Sequence, residues 1–144
     1  MYRHTTNSFK SYGSKVLGPE TGIFYNNQMD SFSTPNTSNQ FGVPASPANY
    51  IAPAKRPVSS ISPLIIWDAT KQRVLQVLGG SGGTRITTSV AQVAIRNWLF
   101  KQDIKSAIDA PRLHSQLLPP EVVVEQDFDE VRINSNSANF LLWN

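Results

Sequence analysis

The amino-acid sequence predicts a layered fold, α/β or α+β, in which helices cover a β-sheet. Three observations predict it: two strand patterns over residues 62–67 and 73–78, a glycine-rich loop over residues 79–83, and a helical pattern directly after that loop. A second short helix and a valine-rich strand complete the order. This order defines a compact region from about residue 58 to 125.

The first part of the chain predicts little regular structure. Residues 1–60 contain few aliphatic side chains and many Ser, Thr, Asn, Pro and Gly, a composition typical of loops. Residues 22–25 read as a short strand after a turn-rich stretch. Residues 33–57 carry five prolines, so they form a long irregular segment that is either a linker or a functional loop.

The central elements follow from their hydrophobic patterns. Residues 62–67 have a buried-strand pattern, residues 68–71 a turn pattern, and residues 73–78 a second strand pattern, which together predict a β-hairpin. The helix after the glycine loop should span about fifteen residues. Its apolar positions recur at helical spacing: Ile86, Val90, Val93, Ala94 and Trp98.

A second, shorter helix should follow. Asp103 can cap its first turn and Pro111 ends it. Three apolar residues form its expected inner face: Ile104, Ala107 and Ile108. Residues 121–125 are the last strand candidate, and beyond Asp129 the sequence shows no clear period.

Composition excludes several functions. The net charge is +3 with a pI near 9.4, but the basic side chains are scattered and form no patch with stacking aromatics, which excludes a nucleic-acid partner. The chain has no cysteine, which excludes a disulfide framework and a cysteine-based zinc site. No His, Asp or Glu spacing indicates a metal, and no cofactor motif is present.

The glycine loop is the strongest functional motif. Residues 79–83 contain four glycines, which let the backbone turn sharply and approach a ligand. The following helix supplies unpaired N–H groups, so the loop suits a phosphate, a carboxylate or an oxyanion. Thr84 and Arg85 follow where a P-loop needs Lys and Ser or Thr. A tight strand-to-helix connection without a ligand is the alternative.

Two polar clusters are weaker candidates. Ser59 and Ser60 stand at a strand entrance and could hold a carboxylate, or merely cap a turn. Residues 26–30 offer side-chain carbonyls and a carboxylate to an ammonium group, or form a polar turn. His4 and His114 have no evident nucleophile partner, and His114 is expected to be structural.

Taken together, four stretches resemble γ-glutamyltransferases, also called γ-glutamyltranspeptidases or glutathione hydrolases. They are GSKVLGPETGIFYNNQMDSFS, FGVPASPANYIAPAKRPVSSISP, GGSGGTRITTSVAQVAI and AIDAPRLHSQLLPPEVVVE, and they match that family's small subunit in order and spacing. The resemblance implies an α+β fold, a fragment of the N-terminal-nucleophile hydrolase αββα sandwich. It also implies transfer of a γ-glutamyl group from glutathione, through a covalent acyl-enzyme, to water or an acceptor amino acid.

The resemblance assigns roles to individual residues. Gly82 and Gly83 match the pair whose N–H groups form the oxyanion hole. Ser59 and Ser60 match the serines that bind the α-carboxylate of the γ-glutamyl group. Two further positions match the part of the pocket that receives the α-amino group: Gln28 and Ser31. Ser31 stands where the family has an aspartate, so a charge-assisted partner is missing.

The resemblance also shows departures at both ends. Residues 1–11 do not match, residues 12–125 form the small-subunit-like region, and residues 126–144 form a divergent tail, so we expect a fragment truncated at both ends. The family's nucleophile is a threonine freed as a new N-terminus, and no matching motif is present. His4, Thr5 and Thr6 stand in the wrong order for it.

The sequence therefore predicts γ-glutamyl transfer or hydrolysis as part of a larger heterodimer whose large subunit is absent here. The expected partners are glutathione or another γ-glutamyl donor, water or an acceptor amino acid, and that large subunit. The resemblance suggests a plasma-membrane location facing outward, or secretion. Two alternatives remain: a catalytically inert remnant, and an anion-binding module that uses the glycine loop.

Overall fold

The computed structural model describes residues 13–128 and 140–143. The chain divides into two compact units. One, here the loop unit, comprises residues up to Ser60 together with Ser81–Thr84, and the other, the core unit, comprises Ile61–Gly80 and the residues from Arg85 onward. His4, Thr5 and Thr6 and most of the predicted tail lie outside the described residues.

The predicted hairpin is confirmed in the core unit. Strands β1 (Leu64–Asp68) and β2 (Arg73–Leu78) pair antiparallel, with a register shift after Ile66. The Asp68 carboxylate accepts hydrogen bonds from two backbone N–H groups of the turn, each at 3.0 Å. The expectation that the first strand is buried is wrong, because one face of this two-stranded sheet is left exposed. Ile65 and Val77 are 64% and 66% exposed.

Both predicted helices are confirmed. Helix α1 spans Arg85–Trp98 and buries Ile86, Val90 and Val93. Trp98, expected on the same face, is 40% exposed. Its ring lies 4.9 Å from the Lys101 ammonium.

Helix α2 spans Ile104–Asp109, and the Asp103 side chain caps it by accepting from the Ser106 N–H at 3.0 Å. Its predicted inner face is correct only at Ala107, which is fully buried. Ile104 and Ile108 are 44% and 47% exposed, because a helix of fewer than two turns presents little more than one side chain to its neighbour.

A second sheet completes the core unit. Its strands are β3 (Leu113–His114), β4 (Val122–Glu125) and β5 (Phe140–Trp143), in the order β3-β4-β5. Strand β4 pairs antiparallel with β3 and parallel with β5. The sequence predicted β4 but not the other two. Val123 and Val124 of β4 are buried.

Polar side chains tie α1 to β3. The Gln92 carboxamide donates to the Leu113 carbonyl at 2.7 Å and accepts from the Leu113 N–H at 3.0 Å, so it acts as a strand partner. His114 is 4% exposed, with its Nδ1 2.8 Å from the Thr88 hydroxyl and its Nε2 2.9 Å from the Gln116 side-chain oxygen. Burial and hydrogen bonds on both ring nitrogens agree with the expected structural role of His114, which stays a prediction.

From residue 13 onward, the loop unit contains two short 3-10 helices, Gln28–Ser31 and Pro47–Asn49. The predicted strand over residues 22–25 is reduced to an isolated bridge between Phe24 and Leu17. Two backbone hydrogen bonds flank this bridge, from the Gly18 N–H to the Ile23 carbonyl and from the Tyr25 N–H to the Val16 carbonyl, each at 2.9 Å. Within the described residues of the whole chain, no helix has the length and apolar character needed to cross a membrane.

Candidate functional site

The glycine loop has backbone geometry that only glycine adopts easily. Gly82 has a φ of 148° and Gly83 a φ of 62°, a region that L-residues with a Cβ rarely enter. A Cβ on Gly83 would also collide with the ring of Phe41. The positive φ and the contact with Phe41 therefore both favour glycine at position 83.

The position of Phe41 is itself fixed by a polar side chain. The Asn39 carboxamide oxygen accepts from the Phe41 N–H at 2.9 Å and from the Val43 N–H at 3.1 Å. These bonds fold residues 39–43 into a tight turn that presents the ring to Gly83. One function of the glycine is thus close packing against an aromatic ring, which the motif alone did not reveal.

The two residues predicted at the amino-group side are in contact with each other. The Gln28 Nε2 donates to the Ser31 Oγ at 3.2 Å within the first 3-10 helix. The Gln28 backbone N–H donates to the Asn26 side-chain oxygen at 2.9 Å, which fixes the start of the turn. With its Nε2 engaged, Gln28 retains a carbonyl oxygen as an acceptor, and both side chains are half-buried.

A residue that the sequence analysis did not assign joins this turn to the serine pair. Asn49 is 8% exposed, and its Nδ2 donates to the Ser31 carbonyl at 2.9 Å and to the Ser33 hydroxyl at 3.2 Å. Its Oδ1 accepts from the Val58 N–H at 2.9 Å. Val58 directly precedes Ser59, so one carboxamide holds the backbones next to both predicted halves of the site.

Asn49 was present in one of the matching stretches, but nothing distinguished it from the other polar residues around it. The available signal was a single Asn in a proline-rich segment, followed by Tyr50. Its importance comes from burial and from contacts with residues 16 and 18 positions earlier and 9 positions later in the chain. Local pattern reasoning does not see contacts of that range.

The predicted site residues all lie in the loop unit. Ser59 is exposed and Ser60 half-buried, and each has an interaction within the structure. Asn49 links the backbone at Ser31 to the residue before Ser59, and Asn39 fixes the turn that places Phe41 against Gly83. Six sequence-predicted positions belong to this unit. The members are Gln28, Ser31, Ser59, Ser60, Gly82 and Gly83.

The electrostatics near α1 are set by partial burial. Desolvation lowers the pKa of Arg85, and the carboxylates of Glu121 and Glu125 oppose that shift. Glu125 also forms a two-pronged ion pair with Arg112, with a closest contact of 2.7 Å. Among the described residues, no three His, Cys, Asp or Glu side chains cluster as a metal site would require.

Comparison with known proteins identifies the class. The family model described as gamma-glutamyltranspeptidase matches residues 4–135. The chain belongs to the gamma-glutamyltranspeptidase family, which confirms the resemblance found in the sequence.

Individual relatives agree with this assignment. The chain is 47% identical over 117 residues to Scoloptoxin SSD14 of Scolopendra dehaani, covering 81% of this chain and 20% of the relative. It is 40% identical over 119 residues to the glutathione hydrolase proenzyme of Escherichia coli, covering 82% and 20%. This chain therefore spans about a fifth of the length of these curated relatives.

Solved structures confirm the predicted fold class. A mutant of the Helicobacter pylori gamma-glutamyltranspeptidase superposes with a TM-score of 0.82 at 34% identity, covering 94% of this chain and 74% of that chain. The mixed helices and strands of this chain are thus part of the N-terminal-nucleophile hydrolase fold. The roles of the individual site residues remain predictions.

Proposed function

We propose that this chain supplies the γ-glutamyl-binding pocket and the oxyanion hole of an enzyme that transfers or hydrolyses the γ-glutamyl group of glutathione. The observation that carries the proposal is the family match over residues 4–135, with every predicted site residue inside it. The contact between Gln28 and Ser31 and the bridge through Asn49 support it, because they connect residues that the proposed pocket needs near one another.

Substrate binding would use neutral donors and acceptors. The Ser59 and Ser60 hydroxyls would donate to the α-carboxylate of the substrate. The carbonyl oxygen of Gln28 and the Oγ of Ser31 would accept from the α-ammonium group. No carboxylate occupies position 31, so this side of the pocket would depend on dipoles and Asp30 would lie beside it without a fixed role.

The chemistry would proceed through a covalent intermediate. A threonine hydroxyl of the assembled enzyme would attack the γ-carbonyl carbon, and its proton would pass to the threonine's own amine. The Gly82 and Gly83 N–H groups would stabilise the negative oxygen that forms. The leaving cysteinylglycine amine would take up the proton, and water or an acceptor amino acid would then release the γ-glutamyl group.

The proposal assigns the nucleophile to a part of the enzyme outside these 144 residues. The pure chain should therefore show no turnover of a γ-glutamyl anilide, because no threonine here is preceded and followed by the family's motif. The large subunit is the proposed partner. Turnover by the pure chain that disappears on changing Thr5 or Thr6 would contradict this part of the proposal.

The direct experiment grafts residues 12–125 into the matching positions of the complete Escherichia coli proenzyme. The matured chimaera should hydrolyse γ-glutamyl-p-nitroanilide. Replacing both Ser59 and Ser60 with Ala should raise KM by about ten- to a hundredfold, because the carboxylate loses charge-assisted hydrogen bonds. Ser62→Ala is the matched control, since its hydroxyl lies 3.1 Å from Thr87 in the core unit.

The outcomes separate the alternatives. A chimaera that matures and folds but has no turnover would favour the inert remnant. Stabilisation by phosphate, with no effect of L-glutamate, would favour an anion-binding module. An unchanged KM in the Ser59 and Ser60 double variant would remove these residues from the pocket.

A further inference from the structure

We propose that Asn49 is the positioning residue that sets the geometry of α-amino-acid recognition in this pocket, an inference that rests on the proposed function. It would act through its neighbours and would not touch the substrate. It would hold the ammonium-binding turn and the carboxylate-binding serines at the spacing that one amino-acid head group requires.

The first argument is burial. Asn49 is the one buried side chain among residues 13–60. Buried amides are costly unless their polar groups are paired. Here both polar atoms of the amide are paired. The Nδ2 donates two hydrogen bonds and the Oδ1 accepts one, with donor-to-acceptor distances of 2.9, 3.2 and 2.9 Å.

The second argument is what those bonds connect. On one side lie the carbonyl of Ser31 and the hydroxyl of Ser33. On the other lies the N–H of Val58, the residue before Ser59. The backbone of Asn49 adds a bond in which its carbonyl accepts from the Ser33 N–H at 3.0 Å. The residue therefore crosslinks the segments on which the two predicted halves of the pocket stand.

The third argument is chemical. The α-ammonium and α-carboxylate groups of a γ-glutamyl substrate are bonded to the same carbon, so their two sets of protein partners must converge on one point. Small displacements of either set weaken both contacts at once. A rigid link between the sets is hence the feature that would distinguish an α-amino acid from a molecule that carries only one of the two groups.

The test uses the complete chimaeric enzyme with Asn49→Ala, Ser33→Ala and Asn97→Ala. Ser33→Ala removes one of the Asn49 contacts and leaves the other two. Asn97 is the matched control, because its carboxamide also joins two segments, accepting from Gln76 and donating to the Gln102 carbonyl, each at 2.8 Å, in the core unit. Competitive inhibition by L-glutamate and by glutarate, which lacks the amino group, measures the discrimination.

In Asn49→Ala we expect KM for γ-glutamyl-p-nitroanilide to rise by about ten- to a hundredfold, with kcat reduced by less than about threefold. The preference for L-glutamate over glutarate should fall by a similar factor. Ser33→Ala should shift both quantities in the same direction by a smaller factor, and Asn97→Ala should leave them unchanged. A purely structural role would lower the active fraction and kcat while KM and the preference stay constant.

The result that overturns the proposal is an unchanged KM and an unchanged preference in Asn49→Ala. If that variant does not mature, Ser33→Ala decides, and its failure to move either quantity would equally overturn it. A parallel loss of preference in Asn97→Ala would also do so, because the effect would then be general. If the unmutated chimaera itself has no turnover, the proposed function fails and this inference falls with it.

Discussion

The loop unit and the core unit are each stabilised internally by a different kind of interaction. Among the core-unit residues whose burial the structure describes, six apolar side chains are buried: Ile86, Val90, Val93, Ala107, Val123 and Val124. In the described loop unit, Asn49 is the only buried side chain. The core unit is thus organised by removing apolar surface from water, whereas the loop unit is organised by side chains that hydrogen-bond to backbone groups.

This difference explains where the candidate site lies. A pocket for a zwitterionic head group needs polar groups that face the substrate, which an apolar core cannot offer. The loop unit places such groups by means of carboxamides, with Asn26, Asn39 and Asn49 each accepting from one or more backbone N–H groups. As a consequence, the local structure of the loop unit depends strongly on single polar contacts and single glycines.

The largest effect should come from Gly83→Ala. A Cβ at this position meets the Phe41 ring, and the positive φ adds strain, so we expect a destabilisation of about 2–4 kcal/mol. Gly79→Ala is the control, because a Cβ there meets nothing within 4 Å. Urea unfolding of the chain checks both variants. Equal stability of the two would show that neither Phe41 nor the positive φ constrains the loop.

Next in size is the gain expected from Ser31→Asp in the chimaeric enzyme. A carboxylate facing the substrate ammonium should improve kcat/KM for glutathione by about ten- to a hundredfold, since a charge-assisted hydrogen bond replaces a neutral one. A glutaryl anilide, which lacks the amino group, should show little change.

Thr34→Asp adds the same charge at an exposed position of the same segment and should have little effect. Equal gains for both substrates would mean that position 31 acts through folding or maturation. An unchanged kcat/KM would mean that Asp30 or another residue already fills the role.

The next prediction concerns stability alone: Val124→Ala in strand β4 should lower the free energy of unfolding. This side chain is 1% exposed, and truncating it should cost about 2 kcal/mol in the free energy of unfolding. Val77→Ala makes the same truncation at a position that is 66% exposed in β2 and should change stability by less than about 0.5 kcal/mol. Similar losses from both would show that the exposed face of the hairpin is covered by other parts of the chain.

The smallest effect concerns the cap of α2. Hydrogen bonds from the hydroxyl and the backbone N–H of Ser106 lower the pKa of Asp103. The native state therefore binds this proton less readily than the unfolded state, so the cap stabilises fully above the ordinary Asp pKa of about 3.9. The stabilisation is lost as the pH falls through the lower native value.

Thermal unfolding should be measured from pH 7 to pH 2. At neutral pH the Tm of Asp103→Ala should be lower than that of the unmutated chain, and this difference in Tm should shrink as the pH falls. Asp103→Asn, which keeps an acceptor oxygen, should lose this pH dependence while retaining much of the stability. A constant difference across the whole range would show that the charge of Asp103 does not contribute.

Periodic patterns carried most of the fold prediction. The hairpin, α1, α2 with its Asp103 cap, and β4 were all predicted because hydrophobic spacing and capping residues are local signals. Strand β3 was missed because two residues hold no period, and β5 because four consecutive apolar residues show no alternation from which a strand can be identified. Ile104 and Ile108 were misplaced because periodicity does not say how much of a short helix is covered.

The residues of the candidate site also differ in how far the sequence alone could predict them. The glycine loop was visible as a local motif, and the serine pair and Gln28 became specific only through several matching stretches together. Asn49 and the contact of Phe41 with Gly83 were invisible, because they depend on contacts between positions far apart in the sequence.

The most direct measurement is a crystal structure of the chimaeric enzyme carrying residues 12–125, with L-glutamate bound. The account predicts the α-carboxylate within about 3.2 Å of the Ser59 and Ser60 hydroxyls. The ammonium should face Gln28 and Ser31, and the γ-carbonyl oxygen should face the N–H groups of Gly82 and Gly83. Glutamate bound away from these residues, with the enzyme still active, would contradict the account.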